Sequence, residues 1–236
     1  MILNMRDVHV NLGLSHVLQG VNLYIKPGEV VGLFGRNGVG KTTIVKTIAG
    51  WYKPSSGEIY FREKLISELP SNEIARLGLG LVPEDRRIFP GMNVEDNLRL
   101  GLMQVSSQER KEAENRLENV FKQFPRLGES RAQSGTTLSG GEQQMLAMAR
   151  VLVGNPKLLL IDEPTEGLAP MVVAEIFQLM EKLKKQGISI LLIEQNIHKA
   201  IHLCDRHYVV ERGSIVLEGN SKDATDRNSL IERVSV

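Results

Sequence analysis

The chain has 236 residues, 42% apolar and 24% charged, a globular balance that excludes disordered and collagen-like chains. Lys plus Arg number 29 against 28 Asp plus Glu, and the resulting net charge of +1 carries no electrostatic footprint for nucleic acid or anionic lipid. The single cysteine, Cys204, excludes an intrachain disulfide framework and fits a reducing compartment, and no apolar run is long enough to span a bilayer.

At this length the default is one large α/β domain, or a domain with a subdomain. Residues 1–10 alternate apolar and polar side chains and do not read as the apolar region of a signal peptide. Residues 2–10 and 17–25 read as strands, followed by a turn at Lys26-Pro27-Gly28-Glu29. The run Val30-Val31-Gly32-Leu33-Phe34 has the continuous apolar character of a strand covered on both faces. It leads into a glycine loop and a helix over 42–49, ended by Gly50. A turn at Pro54-Ser55-Ser56-Gly57 precedes a strand at 58–61, a helix near 71–77 and a buried strand at 79–82. From Pro90 to Arg131 strand-like runs give way to polar helical patterning, which predicts a helical subdomain inserted into the α/β core. Within it, Ser106 and Glu109 form an expected capping box for a charged helix to Phe124, with Leu117, Val120, Phe121 and Phe124 as the buried stripe. Apolar strands at 158–161 and 188–193 bracket an amphipathic helix at 171–185. A hairpin over 206–218 turns at Gly213, and 221–236 is a polar helical tail.

Three motifs carry chemistry. The run Gly35-Arg36-Asn37-Gly38-Val39-Gly40-Lys41-Thr42, followed by Thr43, matches the G-x-x-x-x-G-K-[ST] phosphate loop. Its glycines let successive backbone N–H groups face a phosphate, and the following helix N-terminus adds its dipole. Lys41 reaches the β and γ phosphates of a nucleoside triphosphate, and the Thr42 hydroxyl is placed to ligate Mg²⁺. The second motif is the strand 158–161 ending in Asp162-Glu163, where Asp162 suits a metal role and Glu163 suits polarising the attacking water. The third is Leu138-Ser139-Gly140-Gly141-Glu142-Gln143-Gln144. Ser139 and Glu142 form a capping box, and two glycines at the start of a helix through Val153 leave a second anion site.

With these motifs in this order, the chain resembles the nucleotide-binding subunits of ABC transporters over essentially its whole length. The resemblance implies a P-loop NTPase fold of the ABC ATPase type, α/β, with an antiparallel β subdomain. It makes 1–236 one ABC ATP-binding domain, with 1–89 and 155–236 as the core and 90–154 as a helical subdomain carrying the signature. It implies ATP and Mg²⁺ as cofactors. It also implies a head-to-tail dimer in which each ATP lies between one subunit's residues 35–43 and the other's Ser139, Gly140, Gly141 and Glu142.

Several positions depart from the family pattern. The glutamine that commonly links Mg²⁺, water and the membrane subunits falls on Glu84, in Pro83-Glu84-Asp85-Arg86-Arg87-Ile88-Phe89-Pro90. The switch histidine falls on Gln195, and the aspartate that ends the loop after the acidic pair falls on Ala169. Leu12 stands near where an aromatic often stacks on adenine, giving apolar contact without π stacking. Together these features are similar to the second ATPase of branched-chain amino acid importers, with urea and amide importers close behind. The expected site is therefore Lys41, Glu163 and Gln195 for catalysis and Thr42, Glu84 and Asp162 for the metal. Two membrane-spanning permease subunits, a second ABC ATPase and, indirectly, a substrate-binding protein are the implied partners, at the cytoplasmic face of the cell membrane. Gln195 hydrogen-bonds but cannot become cationic as histidine does, so its expected role is positioning. Arg86 and Arg87 read either as a solvated basic patch or as contacts to a partner or phosphate, and Trp51 either as a surface residue or as packing on the β subdomain.

Overall fold

A computed structural model of the chain describes residues 1–103 and 110–235, so the expected capping box of Ser106 and Glu109 lies outside the described residues. The chain opens with β1 (Leu3–Leu12) and β2 (Ser15–Ile25), then β3 (Val30–Phe34) and α1 (Lys41–Ile48). Next come β4 (Ser56–Phe61), β5 (Lys64–Leu65), α2 (Ser71–Arg76) and β6 (Leu79–Val82). The helices α3 (Val94–Arg99), α4 (Arg110–Gln123), α5 (Pro125–Glu129) and α6 (Gly140–Val153) follow. The remaining elements are β7 (Leu158–Asp162), α7 (Pro170–Lys185), β8 (Ser189–Ile193), α8 (Ile197–Leu203), β9 (Arg206–Glu211), β10 (Ser214–Asn220) and α9 (Ala224–Ser235).

Two sheets result. One is antiparallel, in the order β2-β1-β4-β5; the other has six strands in the order β10-β9-β3-β8-β7-β6, parallel except for β10. The apolar strands of the six-stranded sheet are buried on both faces, and their side chains alternate between two cores as the two-residue strand period requires. Val30, Phe34, Leu159, Ile161, Ile190 and Leu192 face one core with the helices α3 to α8. Val31, Leu33, Leu158, Leu160, Leu191 and Ile193 face the other, shared with α1 and the antiparallel sheet. The amphipathic stripe of α4 is buried as its spacing predicts, Leu117 fully and Val120, Phe121 and Phe124 nearly so.

Two contacts connect this frame to the loops at the strand ends. Gly213, in the β9–β10 turn, donates its N–H to Val39 O at 2.9 Å and accepts from Gln19 N at 2.9 Å. It joins the glycine loop to the antiparallel sheet, and a Cβ there would lie 2.1 Å from Val17 O, so only glycine fits. The fully buried Asn97 of α3 accepts from Phe89 N at 3.0 Å and donates to Asn93 O at 2.9 Å, fixing the loop before the helix.

Candidate active site

β3, β7 and β8 are adjacent parallel strands, so their carboxyl ends bring residues 35–41, 162–163 and 194–195 to one edge of the sheet. Three glycines shape the first of these segments, with φ of 146° at Gly35, 78° at Gly38 and 112° at Gly40. At Gly35 a Cβ would sit 2.4 Å from Val210 O, which excludes any other residue. Arg36, Asn37 and Gly38 form the exposed crest. Lys41 is 95% buried, and its Nζ donates to Gly35 O and Arg36 O, each at 2.9 Å. Burial lowers its pKa, while Glu163 and Asp162 oppose that shift. The ammonium is thus held inside the curl of its own loop, where an entering phosphate would take over its hydrogen bonds.

Asp162, almost fully buried at the end of β7, lies with Oδ1 3.4 Å from the Thr42 hydroxyl. Burial pushes its carboxyl up to about 6; Thr42 opposes that shift and the charges of Glu163 and Glu84 add to it. A cation held by this carboxylate would remove the cost of burying its charge. Glu163 adopts a left-handed backbone, φ 45°, with its N–H donated to Ile193 O at 3.0 Å. Its Oε2 accepts from Gln195 Nε2 at 2.6 Å. Carboxylate oxygens of Glu84, Glu163 and Glu166 all lie within 4.8 Å of one another. Burial, then Glu163 and Glu84, raises the Glu166 pKa. The sequence motifs did not single out Glu166, because its proximity to Glu84 arises only when β6 and β7 pair.

The signature helix α6 begins with the expected capping box. Glu142 N donates to Ser139 Oγ at 3.3 Å, and Glu142 Oε2 accepts from Ser139 N at 2.9 Å and from Ser139 Oγ at 2.7 Å. Those bonds lower the Glu142 pKa, the hydroxyl contributing most. The helix start is less open than the two glycines imply. Arg86 Nη1 would be 3.2 Å from a Cβ on Gly140, and the Val172 methyls 2.8 and 2.9 Å from one on Gly141. Among the described residues, Ser139, Gly140, Gly141 and Glu142 make no hydrogen bond to Lys41, Thr42, Asp162, Glu163 or Gln195. The two expected anion sites are separate surfaces of one chain. Leu12 ends β1 at 37% exposure.

A cavity of about 680 Å³ opens between α2, β6 and α6, with Trp51, Arg76, Arg87, Phe89, Met103 and Arg150 in its wall. Arg87 stacks on Trp51, 4.3 Å from the ring centroid, and Arg150 lies 5.2 Å from that of Phe89. Arg150 also donates to Arg87 O at 2.7 Å and Arg86 O at 3.0 Å, bracing two residues of positive φ. Trp51 therefore packs under an arginine at the rim of this groove. The sequence alone does not show this pairing.

Residues 18–166 match the family described as ABC transporter. The chain is 40% identical to the high-affinity branched-chain amino acid transport ATP-binding protein BraG of Pseudomonas aeruginosa, over 92% of this chain and 91% of that protein. It is 34% identical to the lipopolysaccharide export system ATP-binding protein LptB of Escherichia coli K12, over 86% and 84% respectively. Among solved structures it superposes on a nucleotide-free ATP-binding cassette from an ABC transporter with a TM-score of 0.85 and 27% identity, covering 100% and 96% of the two chains. A dimeric cassette in a post-hydrolysis state with ADP and Pi superposes with a TM-score of 0.81 and 26% identity, covering 94% and 99%. The glycine loop, the acidic strand end and the capped signature helix, together with these likenesses, place the chain in the ABC transporter family as an ATP-hydrolysing cassette.

Proposed function

We propose that this cassette powers an importer for branched-chain or other hydrophobic amino acids, paired with a second ABC ATPase and docked on two membrane-spanning permease subunits. The observation that carries the ATPase site is the convergence of Lys41, Thr42, Asp162, Glu163 and Gln195 at the carboxyl ends of β3, β7 and β8. In this reading the N–H groups of 35–43 cradle the phosphates and Lys41 leaves its loop carbonyls for the β and γ oxygens. Thr42, Asp162 and Glu84 would hold Mg²⁺, and the buried Asp162, its pKa raised by that burial, fits a group that needs a cation beside it. Bound there, Mg²⁺ would supply positive charge to the phosphate oxygens. Glu163 accepts the proton of the attacking water as its oxygen bonds to the γ-phosphorus. The bond to the bridging oxygen breaks, leaving ADP and inorganic phosphate. Gln195, donating to Glu163 at 2.6 Å, aims that carboxylate rather than exchanging a proton itself. Leu12 offers the adenine an apolar contact. Ser139, Gly140, Gly141 and Glu142 face the nucleotide of the opposite cassette.

We read 1–89 and 155–236 as the core and 90–154 as the helical subdomain. The groove between them, apolar with arginines at its rim, is the seat for a short helix of the permease at the cytoplasmic face of the membrane. The cargo reading is supported by the 40% likeness to BraG and by Glu84, Ala169 and Gln195 at the three departing positions. The likeness to LptB supports a second reading, another cargo such as an exported lipid, with urea or amides also of this class. Two measurements test the proposal. Glu163→Gln should lower ATP turnover by about 100-fold or more while the protein still binds ATP; unchanged turnover removes Glu163 from the role given to it. Purification from membranes should bring down permease subunits and a second ATPase, whose identity decides the cargo. Recovery without any membrane partner overturns the transport reading.

A further inference from the structure

Glu194 is a carboxylate in an unusual position. It follows the fully apolar strand β8, is 97% buried, and has no ion-pair partner among the described residues. A buried charge without a cation is costly unless hydrogen bonds satisfy it. Both oxygens of Glu194 are in fact taken by neutral donors from two different loops. Oε1 accepts from the Thr165 hydroxyl, and Oε2 accepts from Asn196 N at 3.1 Å. The first bond crosses from β8 to the loop after Glu163; the second closes the turn that carries Gln195. An apolar side chain could not replace this group, because the Thr165 hydroxyl and the Asn196 N–H would both lose their acceptor. The cleft beside this contact, about 360 Å³, has Glu163, Thr165, Glu194 and Gln195 in its wall.

We propose that Thr165 and Glu194 form a strut that sets the position of Gln195 on Glu163, making both positioning residues for ATP hydrolysis. The inference rests on the roles given above to Glu163 and Gln195. The loop beginning at Glu163 is held to the end of β8 by Glu163 N to Ile193 O at 3.0 Å and to the turn at 194–196 by the Thr165–Glu194 contact. The Gln195–Glu163 bond lies beyond these two attachments. With the strut cut, one attachment remains and the turn can rotate about it, so Gln195 loses its aim while the nucleotide-binding loop at 35–43 is untouched.

The test is steady-state ATP hydrolysis by the full chain carrying Thr165→Val, Glu194→Leu or both, in the native background and with Gln195→Ala. Each single change is expected to lower kcat about tenfold with KM for ATP within about twofold of native. The pair should be no worse than the worse single, as for groups acting as one unit. Thr165→Ser, which keeps the hydroxyl, should restore native kcat. In the Gln195→Ala background the strut variants should have no further effect, a result that mere loss of stability cannot produce. Native kcat in both single variants, additive losses in the pair, or an undiminished effect in the Gln195→Ala background each overturn the strut. If Gln195→Ala itself leaves kcat at the native value, the role of Gln195 falls and the strut falls with it. If Gln195→Ala lowers kcat while Thr165→Val does not, the strut alone fails.

Discussion

His207 illustrates how one buried side chain couples stability to pH. It is fully buried in β9, with Nδ1 3.0 Å from Ser221 Oγ and, among the described residues, no partner for Nε2. Burial lowers its pKa below the ordinary value of 6.5, with Asp226 opposing. Above 6.5 the imidazole is neutral in both folded and unfolded chains and contributes no pH dependence. As pH falls through 6.5 the unfolded chain takes up a proton that the folded chain refuses, so stability declines until the lowered folded pKa is reached. Urea midpoints at pH 7.5 and 5.5 should therefore differ more for the native chain than for His207→Gln; equal differences would remove His207 as the cause. The expected site residues were visible in the sequence because each stands beside a recognisable pattern: Lys41 and Thr42 close a glycine spacing, and Asp162 and Glu163 end an apolar strand. Glu194 follows an equally apolar strand, yet its role has no sequence signal, because its partner Thr165 meets it only when β7 and β8 pair. Glu166 is hidden for the same reason, its neighbour Glu84 arriving with β6. Short-range pattern reveals which groups stand at a strand end; strand pairing decides which of them meet.

Among the elements, the long periodic helices match their expected spans, α6 through Val153 and α7 within a residue of 171–185, as does the short apolar strand β6 at 79–82. The two-residue β5 and the short helices α5 and α8 have no such signal, because they are too short for a hydrophobic period to repeat often enough to stand out. The signature helix shows what periodicity leaves out. Its glycines read as room for an anion, yet Gly141 is also the place where α6 meets the start of α7, with the Val172 methyls closer than van der Waals contact to where a Cβ would lie. Gly141→Ala should therefore displace α6 against α7 and lower the melting temperature, by an overpacking cost of about 1–3 kcal/mol. Val172→Ala added to it should restore most of that stability, because the clashing methyls are gone. Full melting stability in Gly141→Ala would show that the contact yields freely. If the double variant recovers stability but not ATP turnover, then Gly141 serves the opposite cassette's nucleotide as well as the packing of its own chain.

At the scale of the whole molecule, one guanidinium bridges the two sheets at the end opposite the Gly213 contact. Arg206 of β9 donates to Glu29 Oε1 at 2.7 Å, to Tyr24 O of β2 at 2.7 Å and to the Tyr208 hydroxyl at 3.0 Å, and it also pairs with Glu218 of β10. Its guanidinium lies over the Tyr24 ring, 4.0 Å from the centroid. Glu29 is itself buried and accepts a second bond from Lys26 N at 2.8 Å. This cluster lies near the amino ends of β3 and β9, whereas the candidate site lies at the carboxyl ends, so it links the sheets without touching that site. A buried ion pair contributes little net stability against an apolar replacement, but removing one partner strands the other. Arg206→Met should therefore destabilise the chain by about 3–5 kcal/mol in urea unfolding, with the slope m unchanged. Arg206→Met with Glu29→Leu should cost less than Arg206→Met alone, because no unpaired carboxylate remains. Additive losses in the double variant would instead mean that the arginine acts through its packing on Tyr24 and Tyr208, and the two sheets would then be joined by aromatic contact rather than by charge.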